Sequence, residues 1–212
     1  MKALRAYLRS PAGMIGAVLL LAVIAAALSA DMIFPRDPLS LAGRPLQWPG
    51  ANPRLPLGTD NLGRDIAAFL FHGARVSLLI GLVGWTAPCR LVRAEFLSLR
   101  GREFVLAARG LGMRDARLIL GEVLPNALPP VIVYASVTMA IAILLESALA
   151  FLGLSDPNVA SWGNMIGAGR SVLRTEWYVS AIPGAAILVT VLAFSLVGQG
   201  LNDALNPRMQ VL

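Results

Sequence analysis

The chain of 212 residues is poor in the side chains that most enzymes use for chemistry. It contains one cysteine, Cys89, and one histidine, His72, so it offers neither an intrachain disulfide nor a metal cluster of histidine and cysteine ligands. A Ser/His/Asp set is not expected, because the single histidine lies at the start of an apolar segment. A glycine-rich loop followed by Lys-Ser or Lys-Thr is also missing, which excludes the usual site of ATP hydrolysis. The sequence therefore predicts a protein that is not an enzyme and that has no cofactor and no metal.

Charged residues are scarce as well. They make up 14% of the chain, whereas hydrophobic residues make up 57%; in an average soluble protein about a quarter of the residues are charged. The net charge of +6 would suit nucleic acid, but the basic residues cluster beside apolar runs, as they do in membrane proteins. The composition predicts an all-α integral membrane protein, a bundle of about four transmembrane helices, with membrane lipid and no nucleic acid as a partner.

The first predicted transmembrane helix runs from Pro11 to about Phe34 and follows a basic N-terminal segment. A cleavable signal peptide is the alternative, since Ala27-Leu28-Ser29-Ala30 resembles a cleavage site. The apolar run continues to Phe34, however, and so reaches the length of a span. The next segment, residues 35–65, contains six prolines and is predicted to form a loop.

The second apolar segment, Ile66 to Cys89, is marginal as a span. Only residues 76–89 are free of charge, and such a stretch rises about 21 Å, less than the hydrocarbon core of about 30 Å. We expect it to span only if Arg75 snorkels or faces a protein neighbour. Val131 to Leu154 and about Tyr178 to Leu201 are predicted as full-length spans. In the last of these, the small residues 184–186 are available for close helix packing.

The third predicted span contains Glu146. A carboxylate at that depth costs a few kcal/mol on insertion scales and so faces a protein interior or a pore. The sequence leaves two roles open for Glu146, a position on a transport pathway or a hydrogen bond that packs two helices together.

One long charged segment separates the apolar runs: Arg90 to Asn126, with seven arginines and four acids. So many arginines in a short connection place it in the cytoplasm. Its composition predicts helix, which Gly110 and Gly112 break into two arms. The apolar positions expected to pack are Val92, Phe96, Leu99, Val105, Leu111, Ile119 and Val123. An amphipathic helix that rests on lipid is the alternative interpretation.

Within this segment Ala107-Ala108-Arg109-Gly110-Leu111-Gly112, followed by Leu124-Pro125-Asn126, resembles the EAA loop of ABC-importer permeases. The resemblance implies that the loop docks the membrane subunit onto a separate ATPase. The residues implied in docking are Glu103, Ala107, Ala108, Arg109, Gly110, Gly112, Leu124 and Pro125. Two positions depart from the family pattern, since Leu106 replaces its glutamate and Glu122 replaces an apolar or aromatic residue.

Three further stretches resemble the permeases of dipeptide, oligopeptide and nickel importers. Residues 57–65, LGTDNLGRD, are similar to the signature before the second span of those permeases. Residues 151–154 and 161–165 are similar to an outer re-entrant loop, and residues 202–208 to the family's C-terminal end. Taken without the family, residues 57–65 would predict a turn and a helix cap made by Thr59, Asp60 or Asn61. Likewise, Trp162, Trp177 and Tyr178 would each fit an interfacial aromatic belt.

Part of the family pattern is missing between Gly84 and Trp85. Residues 74–84 match the opening of the family's second span, whereas residues 85–95 resemble the close of its fourth. The resemblance therefore implies an internal deletion that reduces the usual six spans to about four. Removing two spans keeps the charged segment on the same side as the N-terminus.

The resemblance implies the following organisation. Residues 1–34 form a cytoplasmic N-terminus and the first transmembrane helix, residues 35–65 an external loop, and residues 66–212 a shortened permease domain with the coupling loop 90–126. The chain would be a multi-pass protein of the bacterial inner membrane with both termini in the cytoplasm. Its partners would be ABC ATPase subunits, a sister permease subunit and an extracytoplasmic solute-binding protein. It would import peptides or a small solute such as nickel; the alternative is a transport-inactive paralogue that binds the same partners.

Overall fold

The computed structural model describes residues 7, 10–83 and 86–205, and over these ranges the chain is helical with three isolated β-bridges and no strand. The α-helices whose bounds the structure describes are α1 (Pro11–Ile33), α2 (Ile66–Val83), α3 (Thr86–Arg100), α4 (Glu103–Gly110), α5 (Asp115–Leu118), α6 (Leu124–Phe151), α7 (Trp162–Gly169) and α8 (Tyr178–Leu205). A π-helical turn, Ile119–Val123, precedes α6, and a 3-10 turn, Arg170–Val172, follows α7.

Among the described residues, four helical segments are long and apolar enough to cross a membrane: Pro11–Ile33, Ile66–Arg100 (residues 84 and 85 apart), Asp115–Phe151 and Tyr178–Leu205. The predicted all-α fold with about four candidate spans is thereby confirmed. The position of the inferred deletion, Gly84 and Trp85, lies outside the described residues. So do the basic residues before Tyr7 and the last part of the C-terminal motif, from Asn206 onward.

The third candidate span begins earlier than the sequence predicts. α6 starts at Leu124 rather than Val131 and continues through Pro129 and Pro130. Each proline removes a backbone donor, but helices of membrane proteins tolerate this where π turns and side chains satisfy the freed carbonyls. The carbonyls that lose their helical donor are those of Pro125 and Asn126, in the first turn of α6. The two prolines therefore lie inside the helix, near its start, rather than before it.

The chain divides into two compact units, each containing parts of several helices. The first unit comprises the described residues of 1–17, 83–139 and 193–212, and includes the charged segment. The second unit comprises residues 18–82 and 140–192, and includes the proline-rich loop, α2 and α7.

The core of the first unit is a small apolar cluster under the charged segment. Val105, Leu118 and Val123 are buried, and Phe96, Leu99, Ala108 and Met113 pack against them. The predicted packing of Phe96, Leu99, Val105 and Val123 is confirmed. Leu111 is a wrong prediction, since it is 87% exposed beyond the end of α4. Leu118 is in the cluster instead, because α5 is a separate helix and its side chains do not continue the periodicity of α4.

Close helix packing in the first unit depends on glycines that the sequence did not single out. A Cβ on Gly16 would lie 2.7 Å from Leu196 Cβ, and one on Gly198 would lie 2.5 Å from Ser136 Oγ. The predicted small-residue site at the start of α8 is wrong for Gly184, whose added Cβ would meet nothing within 4 Å. Small residues permit close approach only where a second helix crosses them.

The second unit buries much of the proline-rich loop. Thr59 is fully buried, and its hydroxyl donates to the Arg44 carbonyl at 2.6 Å while accepting the Gln47 N–H at 2.9 Å. The hydroxyl of Tyr178, the first residue of α8, donates to the Gln47 carbonyl at 2.9 Å. Residues 35–65 are therefore a folded element, fixed by hydrogen bonds to α8 and within itself.

The cap of α2 differs from the prediction. Asp65 Oδ1 accepts the N–H of Ala67 at 2.8 Å, so Asp65 caps the helix rather than Thr59, Asp60 or Asn61. Burial raises the pKa of the Asp65 carboxyl, while hydrogen bonds from two backbone N–H groups of the first turn lower it. Asp60 instead closes its own turn, since Oδ1 accepts the N–H of Leu62 and of Arg64.

Arg75 faces a protein neighbour, which is one of the two possibilities that the sequence left. Its guanidinium lies 3.1 Å from Asp31 Oδ2 and donates to the Ala27 carbonyl at 3.0 Å. The Asp31 carboxylate also lies 3.8 Å from His72 Nδ1. The end of α1 thus supplies the partner that lets the short apolar run of α2 carry an arginine.

Candidate functional site

The charged segment of the first unit contains a tight turn between α4 and α5. α4 ends at Gly110, and Gly112 adopts a φ of +76°, a conformation that side chains with a Cβ rarely adopt. Arg109 Nη2 lies 3.3 Å from Asp115 Oδ1 and joins the end of α4 to the start of α5. Both side chains are more than half exposed, so this ion pair orients the turn more than it stabilises the fold. The predicted break at Gly110 and Gly112 is confirmed, but the segment has a further break at Gly101 and Arg102, between α3 and α4, that the sequence did not predict.

α4 has an inner and an outer face. Val105 is buried in the apolar cluster and Ala108 packs against it. Glu103, Leu106, Ala107 and Gly110 are exposed and follow one another at the i, i+3, i+4, i+7 spacing of a single helix face. We call these four residues, with the exposed Leu111 that follows them, the α4 face. Leu106 is 55% exposed and Leu111 87%.

Such a surface is suited to a protein partner. Exposed leucines beside charged groups and small residues resemble the mixture of apolar centre and polar rim found at protein interfaces. A shallow cavity of about 250 Å³ lies beside the cluster and is lined by Arg93, Phe96, Leu97 and Arg100 of α3 among others. The α4 face therefore combines accessible apolar area with a backbone fixed by the glycine turn and the ion pair.

The predicted docking residues all lie in the first unit, but they are not equally accessible. Ala108 and Leu124 are half-buried, and Ala108 packs against the apolar cluster. The remaining six are exposed: Glu103, Ala107, Arg109, Gly110, Gly112 and Pro125. Sequence reasoning missed Asp115, although an acid six residues after Arg109, across a Gly-x-Gly turn, was a signal that could have revealed it.

Glu146 lies in the second unit and contacts the start of α7. The Ser161 hydroxyl donates to Glu146 Oε1 at 2.6 Å and accepts the Asn164 N–H at 3.2 Å, so Ser161 both caps α7 and binds the carboxylate. Glu146 Oε2 is buried and has no hydrogen-bond partner among the residues that the structure describes. Gly163 lies so close that a Cβ there would come within 2.6 Å of Oε2. This geometry supports a helix-packing role.

α7 is also tied to α2 through Trp162. The indole Nε1 donates to the Leu70 carbonyl at 2.9 Å, and the backbone N–H donates to Ser77 Oγ at 3.4 Å. Trp162 and Tyr178 are each 2% exposed, so the interpretation as an interfacial aromatic belt is wrong for them. Trp177, at 57% exposed, still fits it.

Histidine, cysteine and carboxylate side chains form no group of three or more that could hold a metal ion within residues 7, 10–83 and 86–205. In the second unit the polar groups of Glu146 and Trp162 make structural hydrogen bonds. In the first unit the α4 face is accessible to a partner.

Comparisons with known proteins agree with this architecture. The sequence model of a protein family described as the binding-protein-dependent transport system inner membrane component matches residues 10–211. The chain is 31% identical over 265 residues to a di/tripeptide transport system permease protein of Pseudomonas aeruginosa, with 92% of this chain and 88% of that protein covered. It is 32% identical over 271 residues to a putative peptide transport system permease protein of Brucella suis, with 98% and 91% covered. It is 44% identical over 137 residues to a putative peptide permease protein of Brucella ovis, with 63% and 45% covered.

The lengths of these matches reveal the missing segment. The Pseudomonas match runs over 265 positions although only 92% of the 212 residues take part, so about 70 positions have no counterpart in this chain. The Brucella ovis match, by contrast, needs 137 positions for 63% of the chain and is almost free of such gaps. Relative to the Pseudomonas protein, this chain therefore lacks about 70 positions, whereas the location of a deletion at Gly84–Trp85 stays a prediction. Because the family match extends over nearly the whole chain and two relatives above 30% identity are covered for about nine tenths of their length, the chain belongs to the family of binding-protein-dependent transport system inner membrane components.

Proposed function

We propose that the chain is a permease subunit of an ABC importer that moves peptides, or a similar small solute such as nickel, across the bacterial inner membrane. The observation that carries the proposal is the family match together with the peptide permease names of the relatives. Since the sequence has no ATP-hydrolysis motif, a separate ATPase supplies the energy. A sister permease completes the pathway, and an extracytoplasmic solute-binding protein delivers the solute.

The α4 face is the proposed docking site of the ATPase. It presents Leu106 and Leu111 to solvent beside Glu103, and the positive φ of Gly112 fixes the angle at which α5 follows. An interface gains specificity when apolar contacts are combined with charges held in a defined geometry. In this proposal residues 90–126 are the coupling loop within a permease domain of residues 66–212.

The proposal includes an orientation in the membrane: residues 35–65 lie outside, and the coupling loop and both termini lie in the cytoplasm. Its support is the arginine content of residues 90–126. Single cysteines are to be placed at the exposed positions Ala51 and Ser98 after the exposed native Cys89 is replaced by serine. We expect a membrane-impermeant thiol reagent to label Ala51→Cys in intact cells and to label Ser98→Cys only after the cells are opened. Labelling of Ser98→Cys in intact cells would contradict the orientation.

Transport itself is tested by reconstitution. The 212-residue chain, its sister permease, the ATPase and the binding protein are to be placed in lipid vesicles with a radiolabelled dipeptide. We expect uptake that needs ATP and the binding protein and exceeds that of vesicles without the chain. Co-purification of the partners without any uptake would instead support the transport-inactive paralogue, since about two missing spans would then leave the pathway incomplete.

A further inference from the structure

A small cavity in the second unit is lined by charged side chains that neither the proposed docking nor the packing of α7 uses. Its volume is about 270 Å³, and it lies where α6 ends and α7 passes. Its polar lining comes from Asp60, Arg64, Ser155, Asn164 and Arg170. Asp60 and Arg64 belong to the proline-rich loop, so the cavity lies at the end of the spans that we propose to face outward.

Two arginines in this cavity keep unused donors. Arg64 Nε is buried and has no hydrogen-bond partner within the described part of the chain. Arg170 uses Nη1, which donates to the Phe151 carbonyl at 3.0 Å. A guanidinium presents five N–H donors in a planar fork, and a buried charged donor without an acceptor is costly. Arg64 therefore has a buried donor without an acceptor, whereas Arg170 is exposed and its remaining donors are accessible to a ligand from solvent.

The other polar groups of the lining are already engaged. Asp60 Oδ1 accepts two backbone N–H groups of its own turn. The Ser155 hydroxyl donates to the Asn164 side chain, whose amide nitrogen donates to two carbonyls of the same loop. Two arginines and one aspartate leave the lining with one excess positive charge. What the cavity lacks is an acceptor with one negative charge.

We propose that this cavity binds the C-terminal carboxylate of a peptide, with Arg64 and Arg170 as its donors. A carboxylate has the planar pair of acceptor oxygens that matches a guanidinium fork. The volume lies just below the range of about 300–1,000 Å³ of ordinary ligand pockets, so it suits the terminal residue of a peptide rather than a whole oligopeptide. The assignment rests on the proposed function, since it names the part of a transported peptide that this chain recognises.

The test is a binding measurement on the full chain in lipid nanodiscs, without partner proteins. Radiolabelled N-acetyl-dialanine and its C-terminal amide differ only in the carboxylate, and equilibrium dialysis gives the affinity of each. We expect the amide to bind at least about tenfold more weakly, because it loses charge-assisted hydrogen bonds. Arg64→Gln and Arg170→Gln are each expected to abolish that preference. Arg174→Gln removes an exposed arginine from the same loop as Arg170 and should leave it unchanged.

Equal affinity for the acid and the amide, no binding of the acid, or an unchanged preference in the Arg170→Gln protein would overturn the assignment. Arg170→Lys keeps the positive charge but lacks the planar guanidinium fork, so we expect it to keep part of the preference for the acid over the amide. This variant tests the geometry even if Arg64→Gln prevents membrane insertion. A chain that keeps the preference but supports no uptake would contradict the transport function alone. Uptake without the preference would contradict the carboxylate site alone.

Discussion

Replacing Gly112 with arginine is expected to reduce co-purification of the ATPase with the permease to less than about a tenth, while membrane insertion is retained. Gly112 has a φ of +76° and open space around it, so the new side chain meets no clash but forces the backbone out of its conformation. A left-handed conformation costs a residue with a Cβ about 1–2 kcal/mol. Relaxation of that strain would swing α4 away from α5 and displace the α4 face.

Two matched variants separate the causes. Gly112→Ala introduces the same backbone strain without charge or bulk, and we expect it to weaken docking by a smaller factor. Gly110→Arg adds the charge and the bulk at a helical position where an added Cβ also meets open space. If Gly110→Arg removes the ATPase and Gly112→Ala does not, the α4 face still binds the partner, but the angle of the turn is not what matters. Loss of insertion in Gly112→Arg would mean that Gly112 serves folding.

Local features of this fold could be predicted from the sequence with few errors. The bounds of α1 follow from one long apolar run with a proline at its start and a single charged residue, Asp31, near its end. The break after α4 follows from Gly110 and Gly112, because glycine has the same conformational freedom in any surroundings. The exposed position of Glu103 and Ala107 follows from helical spacing once Val105 is placed inside. Each of these predictions needs only residues within a few turns.

The features that the sequence did not predict depend on distant partners. Gly16 and Gly184 both lie in apolar helical segments, so the sequence alone does not distinguish them. A Cβ added to Gly16 would lie 2.7 Å from Leu196 Cβ, whereas one added to Gly184 would meet nothing within 4 Å. Trp162 has the composition of a membrane-interface residue, but the Leu70 carbonyl accepts its indole N–H and buries it. Thr59 does not cap α2 because its hydroxyl is hydrogen-bonded to the backbone of Arg44 and Gln47, earlier in the proline-rich loop. Such contacts join residues far apart in the chain, and the periodicity of apolar residues within one helix does not predict them.

Replacing Glu146 with leucine is expected to lower the free energy of unfolding by about 1–3 kcal/mol, the cost of leaving buried polar groups without partners. The Ser161 hydroxyl would lose the acceptor that lies 2.6 Å away, at the residue that caps α7. Gly163→Ala should have an effect of similar size, because its Cβ would lie 2.6 Å from Glu146 Oε2 and displace the carboxylate. Gly184→Ala, where nothing lies within 4 Å, is the matched control and should raise the free energy of unfolding by up to about 1 kcal/mol rather than lower it, because alanine is the better helix former. Thermal unfolding of the detergent-purified proteins measures all three.

Glu146→Gln then distinguishes the two roles that the sequence left open. The amide oxygen can still accept the Ser161 hydroxyl, so a residue that only packs α7 against α6 should lose little stability and no transport. A residue on the pathway would behave differently, because removal of the negative charge would change uptake while the hydrogen bond and the stability remained. The contact with Ser161 and the closeness of Gly163 favour the first result, so we expect Glu146→Gln to be silent in both measurements. A selective loss of uptake at unchanged thermal stability would place the carboxylate on the transport pathway and refute a purely structural role for it.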